Sequence, residues 1–131
     1  MQKRRWTSRV KSEVNMDHID HIRDELREPA KELRTLIPDV MRGYGELHKA
    51  VMVDGAVSIA QKELIALAIA MTRECDGCIG AHARAAVRAG VTREQVAETA
   101  GVVIMMNGGP GTVWGPRALR AFDEASTLKD Q

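Results

Sequence analysis

The stretch SIAQKELIALAIAM, residues 58–71, decides the fold, because it joins a helix start signal to a long apolar run. Ser58 followed three residues later by Gln61 matches a capping box, in which two side chains satisfy free N–H groups at a helix N-terminus. Residues 64–71 are apolar on nearly every face of the predicted helix, which indicates a helix that is buried or that faces a subunit partner. The run is too short to cross a bilayer, which takes about 20 residues.

Two further helices are predicted upstream of this stretch. Asp17 is placed to cap the first, which carries apolar residues at helical spacing over residues 19–26. Pro29 is predicted to interrupt or restart this helix, because proline lacks the N–H that a helix interior needs. Pro38 fits the first turn of the next helix, and the Asp-Gly pair at residues 54–55 is predicted to end it with a turn.

Two more helices are predicted directly downstream. The first covers residues 75–89, and Gly90 is placed to end it in the left-handed conformation that glycine adopts without strain. Thr92 with Gln95 forms a second capping box, ahead of a helix whose apolar residues continue to position 106.

The last part of the chain is predicted as a loop of helix breakers followed by one more helix. The loop is NGGPG at residues 107–111, and Pro116 can open the helix. No convincing strand is found, so the predicted fold class is all-α, a single helical domain of about six helices. Several large side chains are predicted to pack in the core, with lining of a substrate pocket as the alternative: Tyr44, Met105, Met106 and Trp114.

Composition narrows the class of protein. The 131 residues fit one domain, and hydrophobic residues make up 44% of them while aromatic residues make up only 3%. A core of mainly aliphatic side chains favours closely packed helices, because strands favour aromatic and β-branched residues. The formal net charge of +1 gives no large field for nucleic acid or for an anionic membrane, so neither is predicted as a partner.

The N-terminal segment, residues 1–16, is locally basic. It is predicted as a flexible, solvated tail ahead of a helical domain over residues 17–131, with a transit peptide or a nucleic-acid-binding arm as alternatives. No apolar stretch follows the basic residues, so no secretory signal is predicted and the expected location is cytoplasmic. In such a reducing compartment a close cysteine pair is more often redox-active or metal-binding than structural.

Cys75 and Cys78 form a C-x-x-C pair at the start of a predicted helix. Residues three apart lie on one helical face with Cβ atoms about 5–6 Å apart, so a modest adjustment brings the two sulfurs into bonding range. Free N–H groups and the positive end of the helix dipole favour thiolate over thiol at this position.

An acid–base pair is predicted beside the cysteines. His82 follows Cys78 by four residues on the same helical face and can accept the thiol proton directly or through a water. Glu63 lies within the apolar helix, where a carboxylate needs a partner. His82 is the predicted partner, and Glu63 would then orient its imidazole, as the third member does in other nucleophile–base sets.

The spacing Glu63-x11-Cys75-x2-Cys78-x3-His82 resembles the core signature of the alkylhydroperoxidase-D-like family, which belongs to the carboxymuconolactone decarboxylase superfamily. The surrounding sequence is similar as well. KELIALAIA at 62–70 looks like the acid-bearing helix of the family, and MNGGP at 106–110 resembles the glycine–proline segment of its small members. The resemblance covers roughly residues 40–125.

The resemblance implies an all-helical fold assembled as a homotrimer or homohexamer, with peroxidase or disulfide-reductase activity. It implies no bound cofactor: a small-molecule hydroperoxide is the substrate, and an external dithiol or thiol protein supplies the electrons. Better-studied members often have His or Ser directly before the second cysteine, where this chain has Gly77. Members named for decarboxylation of a muconolactone lack the cysteine pair, so that activity is not expected.

Zinc binding by a structural oligomer is one alternative reading of the cysteines. C-x2-C-x3-H supplies three ligands, whereas a structural zinc almost always has four. His48 is the remaining histidine in the predicted core and could reach the pocket or not; His18 and His21 are predicted to be exposed.

A non-redox enzyme is the other alternative, with Glu63 and His82 as acid and base in the manner of the decarboxylase relatives. Under the redox interpretation, Cys78 is the predicted nucleophile and Cys75 resolves the sulfenic acid. The opposite order of attack stays open, because the first cysteine of such a pair is often the more exposed.

Overall fold

Six α-helices account for most of residues 18–129, the part of the chain that the computed structural model describes. They are α1 (His18–Leu36), α2 (Pro38–Val51), α3 (Ile59–Thr72), α4 (Asp76–Arg88), α5 (Arg93–Asn107) and α6 (Gly109–Lys129). No strand occurs within this range, so the predicted all-α fold of about six helices is confirmed. The predicted N-terminal tail and the cap at Asp17 lie outside the described residues.

Both capping boxes form as predicted. The Ser58 side chain accepts the Gln61 N–H at 3.2 Å, and the Gln61 side chain accepts the Ser58 N–H at 3.0 Å. Thr92 and Gln95 make the same reciprocal contacts, at 3.2 and 2.9 Å, before α5. Gly90 has φ +81°, so it ends α4 in the left-handed region where glycine carries no Cβ penalty.

Three predictions about helix breakers are wrong. Pro29 lies inside α1, which continues past it on an exposed face where water can reach the carbonyl that proline leaves unpaired. The segment 107–111 is not a loop, since α6 already begins at Gly109 and Pro110 occupies its first turn, where an N–H has no helical partner anyway. Pro116 therefore lies inside α6 and does not open it.

The hydrophobic core lies among α3, α4, α5 and α6. Its largest fully buried side chains are Leu67, Met71, Ile79 and Val96. The α5–α6 hairpin is tight: a Cβ at Gly111 would lie 2.9 Å from the Cα of Ile104, and one at Gly115 would lie 3.3 Å from the Cβ of Ala100. Glycine at position 111 therefore allows two helix backbones to approach.

The first two helices pack outside this core. Ile19 of α1 is buried and lies against Gly80 of α4, where a side chain would collide with it. Helix α2 packs against α1 and buries none of its residues. Within residues 18–129 no helix combines the length and the hydropathy that a membrane-crossing segment needs.

Several side chains predicted for the core are exposed in the single chain. Tyr44, Met105 and Met106 expose 67%, 75% and 77% of their surface, so the core prediction is wrong for these three. Each helix offers one face to the single core, and these residues lie on other faces. Trp114, by contrast, is half-buried and packs against the core as predicted.

Candidate active site

The two cysteines lie at the start of α4 and are joined by a disulfide, with Cα atoms 5.2 Å apart. Cys75 is the N-cap residue, and its Sγ accepts the backbone N–H of Cys78 at 3.2 Å. A sulfur at an N-cap replaces the oxygen that usually satisfies a free N–H in the first turn. Cys75 is half-buried, whereas Cys78 is exposed and can meet a molecule from solution.

A short turn places these cysteines against the end of α3. Glu74 has φ +54°, a left-handed conformation that is uncommon for a residue with a side chain. The next N–H, that of Cys75, donates to the carbonyl of Ala70 at 3.2 Å and ties the start of α4 back to α3. Strained backbone of this kind persists where the surrounding structure fixes it, and it is enriched at functional sites.

Glu63 and His82 form the predicted pair across α3 and α4. Their Oε2 and Nδ1 atoms are 2.7 Å apart. The Glu63 side chain is only 5% exposed and that of His82 is 27% exposed, so the contact is largely shielded from solvent. When Nδ1 donates to the carboxylate, Nε2 of the neutral imidazole carries the lone pair that can accept a proton.

Helix α4 places His82 one turn after Cys78. The helix is continuous from Asp76 to Arg88, so side chains four apart lie on one face with Cβ atoms about 5–6 Å apart. The structure thus brings together two pairs that the sequence predicted: Cys75 with Cys78 at the start of α4, and Glu63 on α3 with His82 one turn further along α4. A thiol, a base and a buried carboxylate that orients the base can together support nucleophilic chemistry.

An arginine that the sequence prediction missed holds the first turn of the cysteine helix. Nη1 of Arg117 on α6 donates to both carboxylate oxygens of Asp76, at 3.0 and 2.9 Å. The guanidinium also lies over the Trp114 ring, 4.5 Å from its centroid. Asp76 lies between the two cysteines in the sequence and its side chain is 13% exposed, so Arg117 compensates a carboxylate next to the reactive sulfurs.

The histidines outside this site do not join it. His48, for which the sequence left open whether it reaches the pocket, is exposed on α2, and His21 is exposed as predicted. The side chain of His18 lies outside the described part of the chain. Over residues 18–129 no three His, Cys, Asp or Glu side chains are grouped so that they could hold a metal ion.

The fold and the site define the structural class, an all-α protein of six described helices with a cysteine pair at the start of α4. Sequence comparison identifies the family. The chain belongs to the carboxymuconolactone decarboxylase family, whose model matches residues 38–124, from α2 into α6. The family predicted from the spacing of Glu63, the cysteines and His82 is thereby confirmed.

One solved relative with the same fold is a carboxymuconolactone decarboxylase family protein from Legionella pneumophila, in its apo form. Its TM-score with this chain is 0.79 at 38% identity, covering 85% of this chain and 99% of that one. An uncharacterized protein of Cupriavidus necator is 42% identical over 86 residues, 66% of this chain and 76% of that protein. An uncharacterized protein of Haemophilus influenzae is 33% identical over 106 residues, 81% and 90% of the two lengths.

Proposed function

We propose that this protein is a thiol-dependent peroxidase and disulfide oxidoreductase that reduces hydroperoxides with Cys75 and Cys78. The observation that carries the proposal is the pairing of these cysteines one helical turn before His82, which is itself bound to the buried Glu63. Family membership is compatible with this activity, because the family includes alkylhydroperoxidase-like peroxidases as well as decarboxylases.

The reaction starts from the reduced pair. His82 takes the proton of the Cys78 thiol, and the thiolate attacks the terminal oxygen of the hydroperoxide. An S–O bond forms, the O–O bond breaks, and the leaving alkoxide takes the proton back from the imidazolium to become an alcohol. Cys78 is then a sulfenic acid, which the Cys75 thiol attacks to form the disulfide and release water.

An external dithiol completes the cycle. Its thiolate attacks the Cys75–Cys78 disulfide, forms a mixed disulfide and leaves as an oxidised dithiol after a second exchange. Two electrons thus pass from the dithiol to the hydroperoxide, and no bound cofactor takes part in the proposed cycle. The greater exposure of Cys78 supports it as the sulfur that meets the peroxide, while Cys75 is better placed to resolve.

Peroxide consumption by the purified protein with several dithiols tests the proposal. The parent should consume hydroperoxide, and mass spectrometry of the oxidised protein should show the loss of two hydrogens and a linked Cys75–Cys78 peptide. Cys78→Ser should abolish consumption, while Cys75→Ser should accumulate the sulfenic acid that a dimedone probe traps. Free thiols at both positions after peroxide treatment would refute the peroxidase role.

A second function would use Glu63 and His82 alone. Their 2.7 Å contact contains no cysteine atom, so an acid–base enzyme of the decarboxylase type could operate with silent cysteines. Activity that survives the double change Cys75→Ser/Cys78→Ser would favour this alternative. Stoichiometric zinc in the protein as purified would favour the remaining one, a metal-binding or structural oligomer.

Assembly into a homotrimer or homohexamer forms part of the proposal. In the single chain, apolar side chains on α3 and α5 remain exposed beside the buried face of each helix: Ile65 (53%), Ile69 (54%), Val102 (56%), Met105 (75%) and Met106 (77%). Exposed apolar patches of this extent usually mark an interaction surface. Obligate oligomers cover such faces with interfaces that resemble a domain core.

A further inference from the structure

A groove of about 360 Å³ runs between α1 and the first turns of α4. It lies beside the disulfide, because Gly77 forms part of its wall and is bonded to Cys78. Its volume falls within the range of pockets that bind small molecules, about 300–1,000 Å³. The proposed chemistry uses none of the α1 residues along this groove.

The groove wall combines arginines with apolar side chains. Helix α1 contributes Ile22, Leu26 and Ala30 together with the three arginines Arg23, Arg27 and Arg34. On a helix of 3.6 residues per turn these positions fall on one side, and the three glutamates of α1 fall on the opposite side: Glu25, Glu28 and Glu32. Helix α1 therefore has no large net charge but presents its cations to the groove.

Local acids balance only part of this positive charge. Asp24 lies 2.6 Å from Arg27 and 4.0 Å from Arg23, and Asp20 lies 3.6 Å from Arg23. Among the described residues no carboxylate lies within ion-pair distance of Arg34, which lies at the far end of the groove wall on α1. A positive charge above an apolar wall suits a molecule with an anionic head and an apolar chain.

Gly77 opens this groove towards the exposed cysteine. A Cβ at Gly77 would meet no atom within 4 Å, so the space beside it is free. A chain that lies along Ile22 and Leu26 therefore finds free space beside Gly77, the residue bonded to Cys78. A larger residue directly before the second cysteine would occupy that space.

We propose that the groove selects amphipathic carboxylates and that the substrate class of the cysteine pair is the hydroperoxide of a free fatty acid. This rests on the proposed peroxidase function. The arginines bind the carboxylate, the apolar wall holds the chain, and the –OOH group reaches Cys78. There it is reduced to an alcohol and water while the two thiols become the disulfide.

Binding of non-reactive chains tests the groove without any turnover. The probes are decanoate and decanol below their aggregation limits, measured by calorimetry on the full chain. The parent should bind decanoate about fivefold more tightly than decanol, the factor that corresponds to the upper contribution of one exposed charge pair, about 1 kcal/mol. Arg23→Gln/Arg34→Gln should remove this preference, and raising the salt concentration should weaken it in the parent.

Lys31→Gln is the control for loss of charge on α1, because it removes one positive charge, where the arginine variant removes two, at a residue that does not line the groove. It should keep the preference for decanoate. Equal affinities for the two probes in the parent would overturn the groove proposal, and so would an equal loss in the control and in the arginine variant.

Turnover then tests the substrate class. The parent should have a kcat/KM for linoleic acid hydroperoxide several times that for its methyl ester, and the ratio should fall towards one in the arginine variant but not in the control. A ratio of one in an active parent would overturn the substrate class while leaving the peroxidase function intact. Selective binding with no consumption of either compound, or of tert-butyl hydroperoxide, would overturn the peroxidase function and the substrate class together.

Discussion

Removing the charge of Arg117 should make the cysteine thiols harder to ionise, although Arg117 touches neither sulfur in the proposed reaction. Asp76 lies between the cysteines, and its carboxylate is compensated by two contacts with the Arg117 guanidinium at 2.9 and 3.0 Å. In Arg117→Gln the carboxylate remains in the first turn of α4 without that cation. With that cation removed, the negative charge opposes formation of a second one nearby more strongly than in the parent.

The size of the effect follows from Coulomb's law. A carboxylate on the residue next to a cysteine lies about 6 Å from the sulfur, where one unit charge contributes about 0.7 to 2.8 kcal/mol for effective dielectric constants of 80 to 20. The Arg117 side chain is 41% exposed, so solvent screening favours the lower end. We expect about 1 kcal/mol, or roughly 0.7 of a pH unit in the midpoint of thiol ionisation.

The assay is the rate of iodoacetamide alkylation of the reduced protein against pH. Arg117→Gln should move the midpoint upward, and adding Asp76→Asn to it should cancel the shift because the repelling charge is gone. Arg120→Gln is the matched control, since it lies on the same helix and pairs with Glu124 instead. A midpoint in Arg117→Gln equal to that of the parent would refute this reasoning.

Three further predictions follow from the site and from the packing. His82→Ala should slow peroxide reduction by about 10²- to 10⁴-fold, while Glu63→Gln should have a smaller effect and alter the pH profile of the rate. Stopped-flow rates of both variants equal to those of the parent across pH 6 to 8 would exclude His82 as the base and Glu63 as the residue that orients it. In thermal melts Gly111→Ala should destabilise the fold by about 1–3 kcal/mol, because the added methyl group overpacks the contact between α5 and α6. Gly43→Ala lies in open space on α2 and should be neutral or stabilise the fold by up to about 1 kcal/mol. Similar melting points for the two variants would contradict the close approach of α5 and α6. Light scattering at micromolar concentration should show a trimer or hexamer, and a fully active monomer would count against the proposed assembly.

Features that depend on a few neighbouring residues could be predicted from the sequence. Ser58 with Gln61 fixes the start of α3 because both hydrogen bonds of a capping box form within one turn. The pair of Glu63 and His82 was predictable for a related reason, since a carboxylate in an apolar helix has few partners within reach. The cysteine pair needed only the spacing of a single helix.

Features that depend on the competition between local signals and packing could not be predicted in this way. A glycine–proline segment usually forms a loop, and this one does end α5 at Asn107. Helix α6 nevertheless begins within it at Gly109, because Gly111 and Gly115 allow α6 to pack closely on α5. Pro29 likewise costs α1 one hydrogen bond on an exposed face, which is too little to divide a helix of 19 residues.

Contacts between residues that are distant in the sequence could not be predicted either. Arg117 and Asp76 are 41 residues apart, and neither has an unusual local sequence that would identify the other as its partner. The exposure of Met105 and Met106 in the single chain was equally unpredictable. An apolar run indicates that its side chains are buried, but not whether the covering surface belongs to the same chain or to another one.

Charged side chains from α3, α6 and α1 lie around the start of α4, which carries the two sulfurs. Their effects differ because they are buried to different extents. On the α3 side the charge is buried, so the Glu63 carboxylate can act on His82 at 2.7 Å with little screening by solvent. On the α6 side Arg117 neutralises Asp76, so the carboxylate beside the cysteines does not oppose a thiolate. On the α1 side the arginines are exposed and weakly coupled to the sulfurs, which suits them to bind a substrate and not to set thiol reactivity. Changes at Arg117 should therefore act on the pH dependence of the thiols, whereas changes at Arg34 should act on the choice of substrate.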